Sequence, residues 1–381
     1  MNPVHGPAAQ SESSRPGPPG RKPPMKVLVV DDSALVREVM KTVLSREGGM
    51  DVVVAPDGLI AEQEIQARRP DVIVLDLEMP RMDGLTLLRR IMETDPIPVV
   101  ICSGLGTKGS RAALEALAEG AVEVVAKPRV GVREFLQESA TMLIDSVRAA
   151  AIARVRTKPR AVGGAPVPAP PRAGDHGPAP RRAATRLVAI AASTGGPQAL
   201  ETILTALPAG APGIVIVQHM PAGFTAAFAE RLNAACRLEV KEAASGDLVM
   251  DGRVLLAPGG RHLSLRRTPA GCEVLVEDGP LVSRHRPSAN LLFHSVARSM
   301  GANALGIILS GIGDDGVDGL LEMRIAGAVT LAQSQASCAV FGMPGEAIAR
   351  GAAEQTVELA DIPAALLRWS AGAEQGGSRA A

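Results

Sequence analysis

The chain has 381 residues, 46% of them apolar, and a formal net charge of zero, enough for two or three domains with real cores. Zero net charge argues against a broad basic nucleic-acid surface, and 2% aromatics with no Tyr argues against base-stacking platforms. No run is long or apolar enough to span a bilayer, so neither nucleic-acid binding nor membrane insertion is expected.

Residues 1–24 are rich in Pro, Gly and Ser and lack the apolar core of a signal peptide; they read as a disordered arm. Cys102, Cys236, Cys272 and Cys338 show no metal-type spacing and read as buried free thiols in a reducing, cytoplasmic setting.

From Met25 to Ala150, apolar runs at Val27–Val30, Val52–Val54, Val72–Leu75, Val99–Cys102 and Val122–Ala126 each precede a helical segment. Five β/α repeats predict a doubly wound parallel sheet, with chemistry at the strand ends. Asp31 and Asp32 end the first strand, Asp76 the third, Ser103 the fourth and Lys127 the fifth. A strand order of 2-1-3-4-5 would gather the three carboxylates. Such a cluster needs a neutralising cation, and hard oxygen ligands suit Mg²⁺.

This domain resembles the receiver domain of response regulators, through Asp31-Asp32-Ser33, Asp76 with Pro80 and Asp83-Gly84, Ser103, and Lys127-Pro128. The resemblance implies a flavodoxin-like fold and makes Asp76 the phosphoacceptor, Asp31 and Asp32 metal-binding acids, and Ser103 and Lys127 the sensors of the phosphoryl group. Val124 stands where many receivers carry an aromatic switch residue.

Residues 151–186 turn to Pro, Ala, Gly and Arg with scarcely an acid and read as a linker, with His176 solvated inside it. A second α/β alternation is expected over 187–370, followed by a disordered tail at 371–381. Its strand-like runs are Leu187–Ala191, Ile214–Gln218, Leu238–Lys241, Val254–Ala257, Leu305–Leu309, Val329–Leu331 and Thr356–Leu359. Arg253–Pro258, His262–Arg266 and Cys272–Glu277, separated by glycines, suggest a small antiparallel excursion. Phe224, Phe228 and Leu232 form a helical core stripe.

Ser193 follows the first of these strands and precedes a helix with Pro197 at its first position. Backbone N–H groups there can hold an oxyanion, although a capping or phosphate-binding turn fits the same residues. His219 ends the next strand, and Asp314-Asp315 follow Leu305–Leu309. Nucleophile, imidazole and carboxylate would thus share one sheet edge, the arrangement of a Ser-His-Asp triad. His262, His285 and His294 are rival bases, and Asp314 or Asp315 could instead cap the helix that follows them.

The second domain resembles the catalytic domain of chemotaxis protein-glutamate methylesterase/glutaminases. The residues that carry this are Ser193-Thr194-Gly195-Gly196-Pro197, Gln218-His219-Met220-Pro221, Ala257-Pro258-Gly259-Gly260-Arg261-His262, His285-Arg286-Pro287-Ser288, Gly311-Ile312-Gly313-Asp314-Asp315-Gly316 and Phe341-Gly342-Met343-Pro344. The resemblance implies Ser193 as nucleophile, His219 as general base and Asp315 as its orienting carboxylate. It also implies a mainly parallel α/β serine hydrolase needing no cofactor for ester cleavage, with Mg²⁺ serving the receiver. Methylated chemoreceptor cytoplasmic domains would be the substrate and a chemotaxis-type histidine kinase the phosphoryl donor, with the unphosphorylated receiver packed over the catalytic cleft. Ala191 replaces a usual glycine two residues before the serine, and Ile312 replaces a methionine of some members. The alternative is a receiver-linked interaction or phosphate-sink module with a degenerate hydrolase domain.

Overall fold

The computed structural model describes residues 23–46, 48–104, 106–128, 133–155 and 182–372. The expected N-terminal arm up to residue 22, most of the linker with His176, and the tail from 373 onward lie outside the described residues.

The first sheet comprises β1 (Met25–Val30), β2 (Met50–Ala55), β3 (Val72–Leu75), β4 (Val99–Ser103) and β5 (Glu123–Ala126). They are parallel in the order β2-β1-β3-β4-β5, as the sequence predicts. Helices α1 (Ala34–Arg46), α2 (Gly58–Ala67), α3 (Gly84–Thr94), α4 (Thr107–Ala118) and α5 (Arg133–Ala151) cover its faces. β3 and β4 are buried throughout, which is why they read as unbroken apolar runs rather than alternating ones. Strand order reverses between β1 and β3, and the crevice at their carboxyl ends holds Asp31 and Asp76.

The second unit follows the same logic at larger size. In chain order it contains β6 (Leu187–Ala192), α6 (Gly196–Thr205), β7 (Gly213–Gln218), α7 (Phe224–Ala235), β8 (Glu239–Glu242), β9 (Arg253–Leu256), β10 (His262–Thr268) and β11 (Gly271–Glu277). Then come α8 (Ala289–Met300), β12 (Ala304–Ile308), α9 (Val317–Ile325), β13 (Val329–Gln333), α10 (Met343–Ala349), β14 (Gln355–Val357) and α11 (Ile362–Ala371). Seven strands form one parallel sheet in the order β14-β13-β12-β6-β7-β9-β8. The central β6 and β7 are buried at every position, whereas the edge strands β8 and β14 keep partly exposed polar residues, which guards open edges.

One expectation is corrected here. The antiparallel excursion is the hairpin β10–β11, with an isolated antiparallel bridge from Leu248 to Glu273 of β11. Arg253–Leu256 belongs to the parallel sheet, because its buried Val254, Leu255 and Leu256 complete the apolar layer beside β7. The helices α10 and α11 were not among the expected stretches; each is short and opens on a proline within its first two residues. The stripe Phe224, Phe228 and Leu232 is core as expected, each at most 1% exposed. The four cysteines are free and buried, and burial pushes Cys236 up to about 11 and Cys338 up to about 12. Among the described residues no helix is long and apolar enough to cross a membrane.

Candidate active site

Three adjacent strands, β12, β6 and β7, end on the same edge, and each delivers one of the expected residues. Strand order reverses between β6 and β12, so Ser193 sits beside the topological switch point. Ser193, His219 and Asp315 are all buried.

The turn after β6 is fixed by its neighbours. Ser193 N–H donates to Ser310 O at 3.0 Å, and Ser310 Oγ donates to Thr194 O at 2.7 Å. Gln218 Nε2 donates to both Ser193 O and His219 O at 3.0 Å, tying the nucleophile's backbone to the base's. Ser193 is not the cap of α6: that position is Gly195, at φ 77°. A side chain there would be strained, and its Cβ would fall 2.5 Å from Ala339 Cβ. Ala191 turns out to lie inside β6, paired with Ile308 and Val217 and fully buried. The freedom the turn needs is supplied four residues later, at Gly195, and not at position 191.

His219 Nε2 lies 2.9 Å from Asp315 Oδ2, and the buried Nδ1 has no partner among the described residues. A carboxylate on Nε2 fixes the Nε2–H tautomer and leaves Nδ1 as the acceptor. Asp315 also accepts from Ser288 Oγ at 2.7 Å, Ala289 N–H at 2.7 Å and Asn290 N–H at 3.1 Å. Burial alone would raise this carboxyl, but the hydrogen bond and charge of His219, then Ser288 and Ala289, hold it below its ordinary value. The capping expectation for Asp315 is corrected: it sits over α8, not over the helix that follows it, because α9 begins after Gly316 at φ 95°. Asp314 points away and pairs with Arg350 at 2.9 Å.

The rival histidines go elsewhere. His285 stacks on His219 with ring centroids 3.7 Å apart and planes within 5°. Burial first, and the adjacent His219 second, push it down to about 3. His262 bridges Pro280 O and Ser288 N–H, and His294 pairs with Glu322.

A cleft of about 460 Å³ opens over these residues. Ser193, Thr194, His219, His285 and Ile312 line it from one side, and Glu123, Val124, Met142 and Asp145 of the receiver from the other. Glu123 accepts a hydrogen bond from Thr194 Oγ1, beside the serine. Gln198 Nε2 donates to Leu117 O and Ala121 O, and Arg284 lies 3.5 Å from Asp145. The receiver therefore lies across the cleft through β5, α4 and α5.

In the receiver, Asp31, Asp32 and Asp76 offer oxygens within 4.8 Å of one another. Lys127 Nζ lies 3.0 Å from Asp31 Oδ2 and 2.7 Å from Asp76 Oδ2. Both oxygens are buried and lack a well-aligned hydrogen bond among the described residues, so the lysine makes charge contacts that leave acceptor capacity open. Two such oxygens beside exposed Asp32 are a hard donor set that fits Mg²⁺. Burial pushes Asp76 up, with Asp31 adding and Lys127 opposing. Burial would lower Lys127, but the two carboxylates hold it above its ordinary value. Gly84 permits the close approach of α3, since a Cβ there would fall 2.0 Å from Asp76 O. Ser103 is not bonded to Asp76; its hydroxyl donates to Gly109 O at 3.3 Å. Val124 is buried and faces the cleft.

Gln218, Ser310, Ser288 and Glu123 contribute here without having been singled out for a role. Gln218 and Ser288 sit within the motifs Gln218-His219-Met220-Pro221 and His285-Arg286-Pro287-Ser288, but Ser310 and Glu123 carry no local signal.

Residues 27–138 match the response regulator receiver domain family and residues 188–366 the CheB methylesterase family. Protein-glutamate methylesterase/protein-glutamine glutaminase 1 of Anaeromyxobacter dehalogenans is 54% identical over 349 residues, covering 91% of this chain and 99% of that protein. Protein-glutamate methylesterase/protein-glutamine glutaminase 2 of Xanthomonas euvesicatoria is 55% identical over 340 residues, covering 87% and 97%. The crystal structure of the Thermotoga maritima CheB methylesterase catalytic domain is 34% identical over 48% of this chain and 97% of that one, with a TM-score of 0.47. With such identity over nearly the whole length of both chains, the chain belongs to the receiver-linked protein-glutamate methylesterase/protein-glutamine glutaminase family.

Proposed function

We propose that this protein is a phosphorylation-activated serine hydrolase of the cytoplasm that demethylates glutamate methyl esters and deamidates glutamines on chemoreceptors. The observation that carries the hydrolase half is the open Nδ1 of His219, whose Nε2 is committed to Asp315, in the cleft that Ser193 lines. Ser193 Oγ attacks the γ-carbonyl and its proton passes to His219 Nδ1. The departing methoxide takes that proton and leaves as methanol, or the amide leaves as ammonia. Water then repeats the transfer, releasing glutamate and restoring Ser193.

Within the turn, Ser193 N–H is bonded to Ser310 O and Gly196 N–H to Ser193 O. The N–H groups of Thr194 and Gly195 are therefore the oxyanion donors we assign. The side chain of Ile312 lines the same pocket.

The regulatory half rests on the receiver lying across the cleft. Asp76 is the proposed phosphoacceptor, with Asp31 and Asp32 holding Mg²⁺ beside it; when bound, the ion offsets charge on the phosphoryl oxygens. Lys127, now against Asp31 and Asp76, would bind the new phosphoryl oxygens, and its exchange of partners would bias β5 and the contacts that follow from it. Ser103 would have to leave Gly109 O to take part. The phosphoryl donor is a chemotaxis-type histidine kinase. Methanol release from methylated receptor, with and without a phosphoryl donor, tests both halves. Ser193→Ala should abolish release, and a donor that gives no acceleration would remove the regulatory half.

A further inference from the structure

Ser288 occupies the cap position of α8 but makes no capping bond to its own helix. A serine there ordinarily accepts from the second or third N–H of the helix. Here the Asp315 carboxylate stands in its place, taking the first two N–H groups of the helix, those of Ala289 and Asn290, while the Ser288 hydroxyl donates to Asp315 Oδ1. The Ser288 N–H is spent on His262 Nδ1 at 3.2 Å. The residue is fully buried, so its hydroxyl has one evident use.

We propose that Ser288 is a positioning residue of the active site, its hydroxyl locking Asp315 in the orientation that serves His219. The proposal rests on the triad reading above. Each oxygen of Asp315 takes two donors: Ser288 Oγ and Asn290 N–H on Oδ1, His219 Nε2 and Ala289 N–H on Oδ2. That fills the carboxylate's acceptor sites, and rotation of its plane would break bonds on both sides. The backbone donors come with the helix; Ser288 and His219 are the two side chains of the four. His262 holds the Ser288 backbone in register, and its other nitrogen is tied to Pro280 O.

The charged and titratable groups around Asp315 are His219 from the end of β7, His285 stacked on it, and Arg284 behind His285. Asp314 is turned away toward Arg350. The Ser288 hydroxyl is one of the donors that hold the Asp315 carboxyl below its ordinary value, so losing it moves that carboxyl up. Activity that needs the ionised carboxylate is then lost at higher pH on the acid side.

The test compares Ser288→Ala and Ser288→Cys in the full-length protein, activated by a small-molecule phosphoryl donor, by methanol release from methylated receptor. For Ser288→Ala we expect kcat to fall about tenfold to a hundredfold, the worth of a hydrogen bond to a charged group, with KM little changed. The acid limb of the kcat/KM profile should move up by about one pH unit. Ser288→Cys, of similar shape and weaker donor strength, should fall between, and it carries the same readout if Ser288→Ala does not fold. A lower kcat with an unmoved acid limb, or a rise in KM alone, overturns the proposal. Wild-type turnover by Ser193→Ala would instead overturn the triad reading itself.

Discussion

His219 presents Nε2 to Asp315 at 2.9 Å and keeps Nδ1 buried and unpaired among the described residues. An imidazole held by one nitrogen has its tautomer fixed before substrate arrives. Asp315→Asn would keep the shape but offer an amide where a carboxylate held the ring. We expect kcat for methanol release to fall about 10³- to 10⁴-fold, with substrate affinity nearly intact. A loss under tenfold would mean the tautomer is set by something else.

His285 should report acid instability. Its ordinary value of 6.5 is pushed down to about 3 in the folded protein, so between these limits the unfolded chain binds a proton that the folded chain refuses. That contribution is fully present above pH 6.5 and is lost as pH falls toward 3. Thermal melts of His285→Gln between pH 7 and 4 should show a shallower decline than wild type. Parallel curves would remove His285 as the cause.

Glu123 predicts a pH-dependent hold of the receiver on the cleft. Burial pushes it from 4.5 up to about 7, the Thr194 hydroxyl opposing. For an acid raised on docking, the docked form is favoured fully below 4.5 and loses that advantage as pH rises through about 7. Basal methanol release by the unphosphorylated protein should therefore climb between pH 6 and 8, beyond the climb seen with Glu123→Gln. Identical ratios of wild type to variant across that range would count against this contact.

Asp76→Asn should reduce the ratio of rates with and without phosphoryl donor to one. Chelation of divalent cations during exposure of the wild type to donor should do the same, because Asp31, Asp32 and Asp76 would then lack the ion that neutralises them. Acceleration that persists in Asp76→Asn would place the phosphoryl group on another residue.

The order of chemistry along each sheet was legible in the sequence because parallel strands buried on both faces are continuous apolar runs, and their polar ends stand out. Asp31, Asp76, Ser193 and His219 each follow such a run directly. That pattern puts the three triad candidates at one sheet edge, whereas the receiver's strand order comes from the doubly wound fold class and not from the runs themselves. Ser103 illustrates the limit: its strand end was right, but a rotamer toward Gly109 O is not written in any spacing.

What the sequence determined by itself was the pair of parallel α/β sheets and the residue types at their carboxyl ends, since both follow from local periodicity and from where it breaks. Only the tertiary structure decided by which nitrogen His219 meets Asp315, that Asp315 rests on α8 rather than on its own helix, and that Glu123 reaches Thr194 across the cleft. Those partners are separated by 96, 26 and 71 positions in the chain. Hydrogen bonds over such distances depend on how finished elements pack, and no local pattern encodes that.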